Sequence, residues 1–481
     1  MSNSIVKIEA LSRASQALSQ LGIPERLAEF SARGFGIKRS TLGGSHSVVT
    51  YPPLDALQPM SVDCDSVTLL QYGGRAHLYL HIPFCETECT FCHYAVEHYR
   101  GAEQTPHKIG HVERYLEALR LELRMWGQKF CERGTVVSSV YIGGGTPLVL
   151  ETVQIEQLLN DLRREFTLVS DVEICLEGSP LTIVAGGGAD KLSAIASLGV
   201  TRFSFGVQSF NATVLHYAAR GHGQDIAQRA CQIVNGIFPN WNLDLIQGLR
   251  QGSPDEVWEN LEVLAKIRPP HITWYHGRFA KHRPQGEWYQ LTRLRSELEY
   301  EYTTLHSRML IWQELERLGY IQIDGNRFVR EARYIDPFKS VRTSVSDDLL
   351  GLGVSAYSHA ADVFTRNTTD IGEYIRRVLN QSSAIKSSLA LTADERFAAS
   401  FVIGLRTERW ESAQSDDSLV DPVILRHYKV LVAELMSLGL LEEISLDGGR
   451  GLTLSRLGRL YEDEVLALFY SPAVLKSLRQ T

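Results

Sequence analysis

Residues His81–Arg100 read HIPFCETECTFCHYAVEHYR. The three cysteines, Cys85, Cys89 and Cys92, are spaced C-x3-C-x2-C, and no fourth cysteine follows closely. A structural metal site ordinarily takes four protein ligands, so this spacing leaves one position open. The loop directly follows AHLYLHI (76–82), a short apolar run of strand type. Downstream, strand and helix patterns alternate. HVERYLEALRLELRMWGQKF is helical, VSSVYIGGG a strand, IEQLLNDLRREF helical and DVEICLE a strand. ADKLSAIASLG, RFSFGVQ, QDIAQRACQIVNGI, NWNLDLIQG, DEVWENLEVLAKI and HITWYHG continue the series. Such alternation predicts an α/β protein with a parallel sheet, either open or curled into a full or partial barrel. In both cases the reactive loops gather at the C-terminal ends of the strands, which is where the cysteine loop falls.

Two metal chemistries fit three thiols. Zinc would need a fourth ligand; His93 is too close in sequence to Cys92, which leaves His98. An iron–sulfur cube is held by thiolates, and three on one loop cover three corners. The fourth iron then stays open to a small molecule. A polar loop at a strand end argues against three merely buried thiols.

The 481 residues are 44% hydrophobic and 22% charged, a globular composition that predicts two or three domains. With 49 Lys+Arg against 56 Asp+Glu, nothing favours nucleic acid or an anionic membrane. The N-terminal MSNSIVKIEALSRASQ lacks a signal-like apolar run, and no stretch reaches the roughly 18 apolar residues of a membrane span. Cys64, Cys131, Cys175 and Cys231 stand alone, which suits a reducing, cytoplasmic location. Residues 1–73 give weak signals apart from a short amphipathic helix at IPERLAEFSARGFGI and an extended VVTYPPLDALQPM. A long helix is predicted after Gln290. The tail from about residue 390 reads as a small winged-helix-like domain, with near-neutral charge that suits a lid or packing role.

The stretch YLHIPFCETECTFC resembles the loop of radical S-adenosylmethionine (SAM) enzymes, in their oxygen-independent coproporphyrinogen oxidase (HemN-like) branch. YIGGGTP, EICLEGSP, FSFGVQSFN, NLDLIQGL, DDLLGLGVSAYS and LTADERFAASFVIGLR follow in order, and TYPPLDAL precedes them. The resemblance implies a partial (β/α)6 barrel over 74–325, an N-terminal extension over 1–73, a connecting segment over 326–389 and a HemN-type domain over 390–481. It further implies a [4Fe–4S] cluster on Cys85, Cys89 and Cys92, with SAM chelating the open iron. Electron transfer into SAM would yield a 5′-deoxyadenosyl radical that takes hydrogen from a substrate. Tyr79, Gly144, Gly145, Thr146 and Glu177 are the residues implied around the first SAM, with Tyr357 as a further cofactor-binding residue. Phe91, Gly145, Thr146, Gln208, Arg220 and Asp244 match the ligands of a second SAM. A small-molecule substrate, a flavodoxin- or ferredoxin-like reductant and a monomeric state go with this reading.

The chain departs from the oxidase pattern after the sixth strand, where WYHGRFAKHRP replaces an NYAH-like segment. Trp274, Tyr275, His276 and Arg278 are expected on the substrate side, with Lys281, His282 and Arg283 as anion-binding candidates. This predicts a different substrate and transfer of a one-carbon unit to an sp2 carbon, as in the class C methyltransferases and cyclopropanases of the branch. His276 and Tyr275 are then the candidate proton acceptors. Porphyrinogen decarboxylation and haem delivery are the alternatives.

Overall fold

The computed structural model describes residues 3–37, 50–60, 70–92, 94–99, 106–250, 252–277, 297–341, 348–407, 410–411, 420–446 and 449–478. His93, Arg278, Lys281, His282, Arg283 and Cys64 lie outside them.

Six strands carry the β/α series: β1 (Arg75–Ile82), β2 (Val136–Gly144), β3 (Thr167–Gly178), β4 (Arg202–Gln208), β5 (Trp241–Gln247) and β6 (His271–His276). Each pairs in parallel with the next. Beyond β1 the sheet gains a further parallel strand, Asp348–Leu352, and then the antiparallel strands Tyr357–Ala360, Val363–Asn367 and Ile385–Ala390. Beyond β6 it gains antiparallel Arg327–Val329. Among the described residues the sheet's 13 strands run in one linear order that does not close on itself, so the barrel is partial.

Strand alternation divides this sheet into two chemistries. Leu78, Leu80, Ile142, Leu176, Phe203, Phe205, Leu243 and Ile272 are buried on one face, beneath the helices. The residues between them form the concave face. They are His77, Tyr79 and His81 on β1, Tyr141 on β2, Glu173, Cys175 and Glu177 on β3, Arg202 on β4, Asn242 and Asp244 on β5, and His271, Thr273 and Tyr275 on β6. Apolar burial on the outer face holds the sheet together, leaving the inner face free to be polar.

The helices begin where their caps dictate. Pro254–Ile267 starts after Ser253, whose hydroxyl accepts from Glu256 N, with Pro254 in the first turn and Asp255 and Glu256 facing the helix dipole. It buries Val257, Trp258, Leu261 and Leu264. Helix Ala393–Arg406 opens with a reciprocal Thr392–Glu395 capping box. It belongs to the C-terminal part, together with Pro422–Ser437 and a three-stranded antiparallel sheet. Arg406 pairs with Glu462 and Asp463, and Glu462 accepts from Gly325 N at 3.0 Å, tying this part to the barrel edge.

At the N-terminus, the amphipathic segment forms helix Ile23–Ala32. A longer helix, Asn3–Gln20, precedes it and was not apparent from sequence. Its polar residues are used in packing against Glu297–Arg317: Arg13 reaches Glu314 at 2.8 Å, and His306 reaches the Leu11 carbonyl at 3.0 Å. Among the described residues, no helix is long and apolar enough to cross a membrane.

Candidate active site at the barrel mouth

Backbone bonds fix the cysteine loop at its base and at its tip. Phe84–Cys85 pairs with Glu97–His98; Glu97 N donates to Pro83 O at 2.6 Å and Tyr99 N to Cys85 O at 2.8 Å. At the tip, Thr90 N donates to Ala218 O at 3.2 Å and Cys92 N to Cys89 O at 3.1 Å. All three thiols are half-buried. Burial pushes the Cys85 thiol up to about 12, opposed by a hydrogen bond from Thr146 and reinforced by Glu86, Cys92 and Cys89 nearby. His98, the alternative zinc ligand, is committed to the Glu86 carbonyl at 2.7 Å. Among the described residues, no three His, Cys, Asp or Glu side chains gather around a single ion. Three thiols on one loop suit a group that offers each of them its own iron.

The glycine run after β2 is locked to this loop. Gly145 N donates to Ile82 O at 2.8 Å and Thr146 N to Phe84 O at 2.7 Å. A Cβ on Gly145 would lie 2.5 Å from Phe84 O and 2.9 Å from Cys85 Sγ. Gly144, at φ +110°, would place one 2.7 Å from the His81 ring. Only glycine permits this approach. Thr146 Oγ1 lies 3.5 Å from Cys85 Sγ. Glu177 ends β3 beneath the run, accepting from Tyr141 at 2.5 Å and from Gly144 N at 3.2 Å. Burial raises Glu177 to about 7; the Tyr141 bond lowers it, Asp244 raises it, and Lys339 and Gly144 lower it.

Across the mouth, the pairing of β4 with β5 shifts between Gly206 and Gln208, and Gln208 takes φ +70°. A bulge with a positive φ at a non-glycine residue costs energy and re-aims the side chain. The amide oxygen of Gln208 is buried and has no protein partner. Arg220 donates to Cys89 Sγ at 3.0 Å and to Gly206 O at 2.5 Å, while its Nε is buried without a partner. Glu86 likewise has one unsatisfied buried oxygen. Three orphaned polar atoms around the thiols mark a space built for a polar group. Asp244 accepts from Asn242 at 2.7 Å.

The other expected residues divide. Phe91 packs with Ile246 and Leu249 beside the loop. Tyr79 lies 3.0 Å from His81 Nδ1 and shares an aromatic cluster with Tyr141 and Tyr357. Tyr275 is 38% exposed on the concave face. Its neighbours take the opposite face. His276 lies 3.5 Å from Gln247 Oε1, and Gln247 is anchored on the Thr304 carbonyl of the outer helix. Trp274 is 3% exposed in the core, which corrects its expected place on the substrate side.

One segment escaped the sequence reading. Residues 334–341 run inside the concave face. Phe338 stacks on Tyr141 at 4.5 Å and on Tyr79 at 5.6 Å. Lys339 Nζ reaches Thr273 Oγ1 at 3.1 Å and Asp244 Oδ1 at 3.4 Å. The signal was IDPFK: Asp336 accepts from Lys339 N at 3.0 Å, an N-cap ahead of Pro337. That signal starts a helix but does not say where it lies.

The Radical SAM superfamily profile matches residues 79–264. An oxygen-independent coproporphyrinogen III oxidase of Escherichia coli is 29% identical over 66% of this chain and 68% of its own length. One from Synechocystis is 25% identical over 90% of this chain and 93% of its own. The Escherichia coli heme chaperone HemW is 33% identical, over 41% of this chain and 49% of its own length. The solved structure of coproporphyrinogen III oxidase (HemN) from Escherichia coli covers 88% of this chain, with 96% of its own length matched, TM-score 0.69 and 23% identity. The thiol loop, the glycine ledge locked to it and these matches agree: residues 79–264 carry a radical SAM domain, the chain is similar to the HemN-like members of that superfamily, and its cofactors are a [4Fe–4S] cluster and S-adenosylmethionine.

Proposed function

We propose that the chain removes hydrogen from a tetrapyrrole-like small molecule presented over the barrel mouth, as an oxidase of the coproporphyrinogen type, with two SAM molecules beside the thiol loop. The observation that carries the reading is the strained Gln208, whose buried amide oxygen lacks a donor next to Arg220 and Cys89. Support for the reaction type comes from the relatives. Those named as oxidases align over 66% and 90% of the chain, whereas the heme chaperone aligns over 41%.

Cys85, Cys89 and Cys92 would hold the cluster, which when bound supplies the electron that cleaves a sulfonium and starts radical chemistry. The Gly143–Gly145 ledge brings backbone N–H and C=O groups close to the ligand. Glu177 offers a carboxylate to ribose hydroxyls, and Gln208, Arg220 and Asp244 hold a second nucleotide. The concave face positions the reactants and keeps water from them.

One-carbon transfer to an sp2 carbon remains the second reading. No relative described above is named for it, and it rests on Tyr275, the candidate proton acceptor that faces the interior. Anaerobic incubation with SAM, reductant and a porphyrinogen separates the readings. 5′-Deoxyadenosine with CO2 supports the oxidase. S-adenosylhomocysteine together with 5′-deoxyadenosine supports one-carbon transfer. Stable haem binding without turnover would overturn both.

Glu177 makes the nucleotide site pH-sensitive. Its folded-state value, near 7, lies above the ordinary carboxylate range, so below pH 7 it is protonated and accepts ribose hydroxyls poorly. SAM affinity is expected to fall by up to about tenfold per pH unit below pH 7 and to level off above pH 8. Equilibrium dialysis across pH 5.5–8.5 would show this slope, and Glu177→Gln should flatten it.

A further inference from the structure

The concave face at the level of Asp244 already holds a cation that belongs to the protein. Lys339 is 8% exposed. Its ammonium lies 3.4 Å from Asp244 and 3.1 Å from Thr273. Burial alone would drive the proton off, but Asp244, Tyr275, Asp336 and Glu177 outweigh it, so the group stays charged. The lysine is not free to swing. Phe338 is stacked against both Tyr79 and Tyr141, and the carbonyls of Tyr334 and Ile335 accept from Arg202 at 3.0 and 3.2 Å. The strap formed by residues 334–341 therefore carries its ammonium to Asp244 and fixes it there.

A sulfonium nucleotide brings a positive charge of its own. Two like charges in a water-poor cavity repel far more strongly than in water. Resting on the two-nucleotide reading, we propose that Lys339 sets the charge accepted by the site at Asp244. It acts as a built-in counter-cation that the sulfonium of the second SAM must share or displace, whereas the uncharged thioether of S-adenosylhomocysteine need not. Lys339 is thus a positioning and specificity residue. It narrows the preference for the cosubstrate over its demethylated form at that site.

The test uses the cluster-loaded full chain, kept anaerobic, with SAM and S-adenosylhomocysteine as probes in equilibrium dialysis. The binding equivalent weakened by Asp244→Asn is the one to read. Lys339→Met is expected to tighten SAM at that equivalent by at least about tenfold and to change S-adenosylhomocysteine by less than about threefold. Lys339→Gln, which keeps a donor toward Asp244 and Thr273 without the charge, should behave alike; it is the variant to use if the methionine protein does not fold. Equal shifts for both nucleotides would reduce Lys339 to a packing role and overturn the proposal. Weaker SAM binding would overturn it too, by making Lys339 a direct ligand. A single equivalent in wild type and variants alike would overturn the two-nucleotide reading, and this inference with it.

Discussion

Cys89→Ser is expected to remove the visible iron–sulfur absorbance after anaerobic reconstitution. SAM cleavage should fall by more than about three orders of magnitude, roughly 4 kcal/mol of barrier. Thiolates hold the irons of such clusters, and a serine hydroxyl is a hard, weakly acidic donor that does not replace them. The loss should be chemical rather than structural, because backbone hydrogen bonds pin the loop at Pro83, Cys85 and Ala218 independently of any thiol. Far-ultraviolet circular dichroism should therefore be unchanged. Cys131→Ser, at an exposed position on an outer helix, should keep full iron content. Arg220→Met should differ from both. It removes the 3.0 Å donor to Cys89 Sγ but no iron ligand, so the iron stays. Hydrogen bonds to cluster sulfurs help set the potential, so the cluster should become harder to reduce. Wild-type iron content in Cys89→Ser would show that the loop holds something other than a three-thiol cluster.

The β/α series was legible because each strand's outer face is apolar and each helix carries its own start signal. Ser253-Pro254 and Thr392 with Glu395 announce helices wherever those helices pack. The thiol loop was legible because its ligands are contiguous. Gly144, Gly145 and Thr146 could be assigned to it because they end the neighbouring strand. The inner-face partnerships were not readable. Lys339 and Asp244 are far apart in the chain, as are Arg202 and the carbonyl of Tyr334, and no local periodicity encodes such pairs. His276 shows a second limit. Its residue type suited a proton acceptor, but strand alternation gives the concave face to Tyr275, and only the register of β5 against β6 says which of the two faces inward. Asn3–Gln20 shows a third. It has no acidic residue in its first turn and no basic one in its last, so tertiary packing against Glu297–Arg317 rather than local signals defines it.

The same long-range pairing makes Arg202 the residue whose loss should most damage the fold. It is 0% exposed, donates to Glu173 at 2.8 Å and to the carbonyls of Tyr334 and Ile335, and lies 3.4 Å from His271 Nδ1. Burial works against its charge, but Asp336, Glu173 and Cys175 more than compensate. Arg202→Met leaves the mostly buried Glu173 carboxylate without its ion-pair partner, removes a positive charge near Asp336 and frees two carbonyls of the 334–341 segment. Breaking a buried ion pair from one side costs about 3–5 kcal/mol. The urea midpoint should fall accordingly at pH 7, provided unfolding stays two-state. The pH dependence fixes the cause. Burial already pushes Glu173 up against the pull of Arg202, and without the arginine it must rise further. A carboxyl raised in the folded state destabilises above that value and ceases to do so below its unfolded value, near 4. The deficit of Arg202→Met should therefore shrink as the pH is lowered from 7 toward 5. Arg202→Met combined with Glu173→Gln should recover part of it at pH 7, because the carboxylate that lost its ion-pair partner is then removed. A deficit independent of pH and unrelieved by the second change would instead assign the loss to the strap carbonyls and to packing.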